Sequence, residues 1–131
     1  MGILNFRPGI NLSRDSEYFI IQPKSQAIYM VQATIIYYSK IYVKHDHLDT
    51  EVVIELKVWE LPVSEKYPNG IKYSLFCVNV EDSRVVVGFD NHHPKGHHLH
   101  IDDEEQHYFY VDEEKLIEDF YTLVKARGYS I

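Results

Sequence analysis

The run Gly88-Phe89-Asp90-Asn91-His92-His93-Pro94-Lys95-Gly96-His97-His98-Leu99-His100 carries five histidines, and six of the chain's 8 lie between His92 and His107. Imidazole titrates nearest neutrality of all side chains and also ligates metals, so this density points to proton transfer or metal binding. Pro94 presets φ for the second position of a turn and Gly96 suits its fourth, which predicts a type I turn over His93-Pro94-Lys95-Gly96. If the chain leaves that turn extended, His98 and His100 share one face and His97 and Leu99 the other.

Two chemistries suit these residues. The first is metal-independent cleavage of RNA, which needs a base for the 2′-hydroxyl proton, an acid for the 5′-oxygen and a cation for the crowded phosphate. His98 and His100 fit the acid and the base in either order, with Asp90 orienting one imidazole and Arg84 or Lys95 on the phosphate. Lys95, His97, Asn91 and Tyr108 are the candidate substrate contacts, and Tyr108 and Tyr110 offer rings on which bases stack. This route needs no cofactor. The second is a divalent metal site, zinc or nickel, drawn from His93, His97, His98 and His100 with Asp102 or Asp103, since such ions take imidazole and carboxylate ligands. Against both stands a solvated loop whose histidines only bond to backbone groups, or a non-enzymatic module that binds a partner through a sheet edge.

The elements that must position this loop read as mostly β. Residues 27–43 are dense in Ile, Val, Tyr and Thr, which suits a long strand with a bend or bulge. After the polar turn His45-Asp46-His47-Leu48-Asp49, Val52, Ile54, Leu56 and Val58 alternate with Val53, Glu55, Lys57 and Trp59, a strand with one buried face. Tyr67-Pro68-Asn69-Gly70 marks a reversal. Ile71, Tyr73, Leu75 and Cys77 form a third strand, residues 84–89 a fourth and residues 106–111 a fifth. Asp112 suits a helix N-cap, Glu113 and Glu114 its positive end, Lys125 and Arg127 its negative end, and Gly128 its stop. The expected fold is α+β: an antiparallel meander of four or five strands with a C-terminal helix packed on one face. Residues 1–26 read as an irregular arm with one helical turn near Ser13 to Tyr18, and residues 27–131 as a single domain. The arm's Phe6, Tyr18, Phe19, Ile20 and Ile21 suit packing on the domain or in a homodimer.

At 131 residues and 45% hydrophobic, the chain can bury one core. Its net charge of -7 argues against broad wrapping of nucleic acid, although residues 84–100 are locally basic. The lone cysteine, Cys77, forms no intrachain disulfide and reads as inert core. No apolar run approaches the roughly 20 residues that cross a bilayer, and the first 26 residues lack a signal-peptide pattern, so a cytoplasmic protein without a membrane role is expected.

Several of these stretches resemble the TumE-like family: Arg84-Val85-Val86-Val87-Gly88-Phe89-Asp90-Asn91, the Lys95-Gly96-His97-His98-Leu99-His100 run, and Leu116-Ile117-Glu118-Asp119-Phe120. Val58-Trp59-Glu60-Leu61-Pro62 and Gly70-Ile71-Lys72-Tyr73 are similar as well, so the likeness runs from about residue 33 to 127. The resemblance implies the toxin component of a prokaryotic toxin-antitoxin pair, partnered by a helix-turn-helix antitoxin. It favours Asp90, His98 and His100 over a metal site made from all the loop histidines, and it finds no counterpart for the first 32 residues.

Overall fold

The computed structural model describes residues 16–21 and 29–131, and the rest of the N-terminal arm lies outside them. Seven antiparallel strands follow one another across a single sheet in chain order. They are β1 (Ser16–Ile21), β2 (Tyr29–Lys44), β3 (Glu51–Glu60), β4 (Ile71–Asn79), β5 (Val85–Asp90), β6 (His98–Ile101) and β7 (Glu104–His107), and α1 (Glu113–Ala126) closes the chain. The expected meander and its terminal helix are present, with more strands than four or five.

Two differences account for the larger number. Ser16–Ile21, expected as part of an irregular arm with a helical turn, pairs as a strand with β2, Ser16 opposite Thr34 and Ile21 opposite Tyr29. The expected strand over residues 106–111 is only partly present: Gln106 and His107 end β7, and residues 108–111 are not in the sheet. The chain instead forms a hairpin of β6 and β7 that reverses through Asp102 and Asp103, both at positive φ (47° and 68°). Two left-handed residues match the twist of a tight hairpin, and aspartate tolerates that region. Tyr108 and Tyr110, whose alternation suggested a strand, leave the ladder to pack on the core. The Tyr108 ring meets Phe89 edge-on and the Tyr110 ring stacks on Tyr73.

The alternation along β3 and β4 decides which face is buried. Val52, Ile54, Leu56 and Val58 join Tyr73, Leu75, Cys77, Val87, Phe89 and Leu99 beneath Leu116, Phe120 and Val124 of the helix. Helix α1 starts at the expected cap: the Asp112 carboxylate accepts from the Lys115 backbone N–H at 2.7 Å. Arg127, just past its end, is ion-paired with Asp102 at the tip of the β6–β7 hairpin. Cys77 is fully buried in this layer, and burial pushes its thiol up to about 12. The long β2 strand carries a register shift between Ile35 and Tyr37, the bulge its length suggested.

Directly paired residues of an antiparallel ladder share a face. The opposite, helix-free face is therefore crossed by two adjacent rows. One runs Lys57, Ser74, Asp90, His98, His107, and the next runs Glu55, Phe76, Gly88, His100, Glu105.

Candidate functional site

Asp90 ends β5 and His98 opens β6 as its direct partner, with His100 one pleat further on the same face. This register results from the loop of residues 91–97, which must return the chain beside β5. The buried Asn91 secures its start, accepting from the Tyr73 backbone N–H at 2.9 Å and donating to the Ile71 carbonyl at 2.8 Å. The chain reverses through a turn at His93, Pro94 and Lys95, where the expected reversal lies, and the His93–Pro94 peptide bond is cis. Gly96 follows at φ 71°, a left-handed conformation that suits glycine.

The resulting cluster is compact. His98 Nε2 lies 2.9 Å from Asp90 Oδ1, and His100 Nε2 lies 3.9 Å from Asp90 Oδ2. The other nitrogen of His98, Nδ1, is 2.8 Å from the Gly96 carbonyl oxygen. A carbonyl only accepts, so Nδ1 carries the hydrogen and Nε2 is the atom turned to the carboxylate. Glu105 places one oxygen 3.9 Å from His98 Nε2 and the other 3.9 Å from His100 Nδ1, while its carboxylate pairs with Lys95 Nζ at 2.9 Å. The hydrogen-bonded Lys95 ammonium holds the Glu105 carboxyl below its ordinary value. The His98 side chain is only 7% exposed, whereas His100 is 26% exposed and open to a ligand. Among the described residues, Asp90, His98 and His100 are the group whose ligating atoms all lie within 4.8 Å of one another.

Phe76 shapes one side of this cluster. Its ring lies over Gly88, where an added Cβ would stand 2.4 Å from it, and its centroid is 6.1 Å from that of His100.

The structure thus brings Asp90, His98 and His100 together, with Lys95 beside them. Arg84 is elsewhere. It precedes β5, six residues from Asp90 and so about 20 Å away at roughly 3.3 Å per residue, and its backbone N–H bonds to Asp82. His97 points to the helix side, where its ring stacks on Tyr110 at 4.7 Å. Its Nδ1 faces the Tyr73 hydroxyl and its Nε2 the Asn69 side-chain oxygen, each at 2.8 Å. Burial, with His107 and His98 nearby, lowers the His97 pKa. His93 is exposed on the turn and is not in the group of close ligating atoms that Asp90, His98 and His100 form. Tyr108 is buried and donates to Asp119 at 2.7 Å, which turns its ring to the core and not to a stacking surface. Asn91 likewise serves the loop. Glu105, for which the sequence carried no functional signal, joins the cluster as the ladder partner of His100.

The model of the family described as toxin TumE matches residues 16–128. The chain belongs to the toxin TumE family. No match was found among the curated proteins or among the solved structures. The TumE match begins at the first residue of β1, so it takes in a strand for which the earlier likeness, starting near residue 33, found no counterpart. A TumE toxin implies an antitoxin partner in general terms. Among the described residues, no helix of this TumE-family chain is long and apolar enough to cross a membrane.

Proposed function

We propose that this TumE-family toxin cleaves RNA without a metal ion, using His98, His100 and Asp90 on the open face of the sheet. The supporting observation is the contact of two imidazoles with one carboxylate, one ring buried and oriented, the other accessible. His100 takes the proton from the ribose 2′-hydroxyl as O2′ attacks phosphorus. The bond from phosphorus to O5′ then breaks, and His98 delivers the Nε2 proton to the departing oxygen, leaving a 2′,3′-cyclic phosphate. Asp90 orients the His98 ring through its 2.9 Å contact with Nε2. Lys95, next to the cluster, supplies positive charge for the phosphate. Lys57, one strand beyond Ser74 on the same row, adds a second cation toward the RNA backbone. The toxin acts in the cytoplasm and is held silent by a helix-turn-helix antitoxin; a homodimer through the N-terminal arm is compatible with this role.

The test is cleavage of cellular RNA by purified, tag-free protein in the presence of a chelator. His100→Ala is expected to lose about 100-fold or more of the rate, the usual contribution of a positioned acid or base, while keeping the wild-type circular dichroism and melting profile. Asp90→Asn retains more activity than His100→Ala, since it removes only the orienting charge. Unchanged cleavage by His100→Ala, or none by folded wild type, overturns the proposal and favours a toxin that acts by binding a partner.

A further inference from the structure

We infer that Asp90, His98 and His100 form a site for one divalent ion of the zinc class, and that the ion switches the toxin off by occupying the nitrogens that catalysis uses. The metal sites conceivable from sequence included His93 and His97, which are not in this group of close ligating atoms. The set proposed now differs, and it follows from the register of β5 with β6.

Three observations carry the inference. The first is the orientation of His98. Its Nδ1–H is committed to the Gly96 carbonyl at 2.8 Å, so the lone pair of a neutral ring is on Nε2, 2.9 Å from Asp90 Oδ1. Two lone-pair-bearing atoms at that distance repel unless a proton or a metal ion stands between them. Metal-bound histidines are held in the same way, with the second ring nitrogen given to a carbonyl or carboxylate.

The second is spacing. Zinc takes imidazole nitrogen and carboxylate oxygen at about 2.0–2.2 Å, so tetrahedral ligand atoms stand roughly 3.3–3.5 Å apart. The two pairs here, at 2.9 and 3.9 Å, bracket that separation, and small rotations of Asp90 and His100 equalise them. The third is the surrounding charge and access. Asp90 and Glu105 offer two carboxylates beside the Lys95 ammonium, and Glu105 stands close enough to become a fourth ligand or to orient His100 through Nδ1. His100, partly exposed, gives an ion an entry path that the buried His98 does not.

Binding excludes catalysis because an imidazole nitrogen coordinated to zinc neither accepts nor delivers a proton. This inhibitory half rests on the proposed function; the site itself does not. The first measurement therefore uses metal alone. Full-length, tag-free protein is titrated with Zn²⁺ in competition with a chromophoric chelator, and imidazole nitrogen resonances are followed by NMR. One ion per chain is expected, with Nε2 of His98 and His100 shifting while Nδ1 of His98 keeps its proton. His100→Gln is expected to weaken binding by roughly 10–100-fold or more, and the double variant His92→Ala/His93→Ala to leave it unchanged. Because a change at buried His98 risks the fold, His100→Gln and Asp90→Asn carry the test, each checked by its melting profile. Zinc held by His92 and His93, or equal binding by His100→Gln, overturns the site.

The second measurement is RNA cleavage with and without Zn²⁺. Inhibition by one equivalent, reversed by chelator, supports the switch; acceleration by zinc overturns it together with the metal-independent mechanism. A protein that binds zinc at these residues but cleaves no RNA overturns the proposed function while leaving the site in place.

Discussion

The Phe76 ring occupies the space in which a side chain on Gly88 would begin: an ideal Cβ there would meet its Cε1 at 2.4 Å and its Cδ1 at 2.7 Å. The two residues are direct partners across β4 and β5, and His100 pairs with Gly88 from the other side. An aromatic ring laid over a strand glycine restores packing that glycine lacks. Here it also sets one wall of the cluster. Gly88→Ala is therefore expected to push Phe76 toward His100 and to destabilise the protein by about 1–3 kcal/mol, the usual cost of overpacking. The His100 ring resonances report the first effect, and urea denaturation measures the second. Equal stability with unmoved resonances would show that the ring is free to tilt away.

Asn91 supports the site from beneath. Its side chain joins the backbone N–H of Tyr73 to the carbonyl of Ile71 and is buried. Asn91→Ala strands both backbone groups, and each buried group left without a partner costs about 1–3 kcal/mol. The expected result is a lower urea midpoint and faster amide exchange in the loop of residues 91–97. Because this loop sets the approach of His98 to Asp90, RNA cleavage falls as well. Asn91→Asp separates the two roles: it keeps the acceptor for Tyr73 N–H but turns the donor to the Ile71 carbonyl into a repelling oxygen.

Much of this architecture was legible because apolar alternation is strong where one sheet face is covered. Val52, Ile54, Leu56, Val58 and their β4 partners could lie in no other pattern. The β6–β7 hairpin was not legible, for a physical reason. His98, His100 and Glu105 stand on the face without the helix, and β7 is exposed along its whole length, so the segment has almost no apolar period to read. The aromatic alternation of Tyr108 and Tyr110 drew the strand assignment past its true end. The separation of His97 from His98 did follow from simple alternation, and it divides a structural histidine from a candidate catalytic one. Arg84 looked near Asp90 only in sequence, since an extended strand carries six residues a long way.

Lys95 pairs with Glu105 at an exposed position beside the two histidines. Exposed pairs contribute little to stability, so Lys95→Met is expected to leave the melting temperature almost unchanged. Its effect falls on RNA. Removing one cation from the phosphate path raises KM, with a smaller change in kcat, and makes binding less sensitive to salt. Fluorescence anisotropy with a single-stranded RNA at several salt concentrations measures the slope. An unaltered slope and KM would remove Lys95 from the substrate path.

His97 gives the clearest dependence on pH. The ring stacks on Tyr73 and Tyr110, and Asn69 Oδ1 can only accept, so Nε2 bears the hydrogen and Nδ1 accepts from the Tyr73 hydroxyl. A second proton would turn Nδ1 into a donor and break that bond. Burial opposes the charged form, and the neighbouring His107 and His98 add to the effect, so the folded pKa lies below the ordinary 6.5. The unfolded chain then takes up its proton at higher pH than the folded one, and stability falls with falling pH across that interval. The contribution is fully present above about 6.5, declines as pH drops toward the folded value, and is flat below it. Comparison with His97→Gln, which cannot titrate, isolates this residue from the other histidines. The difference in urea midpoint between the two proteins is expected to be constant from pH 8 to about 7 and to shrink steadily below it. A difference that stays constant down to pH 5, or grows, would show that the His97 ring accepts its second proton without losing Tyr73.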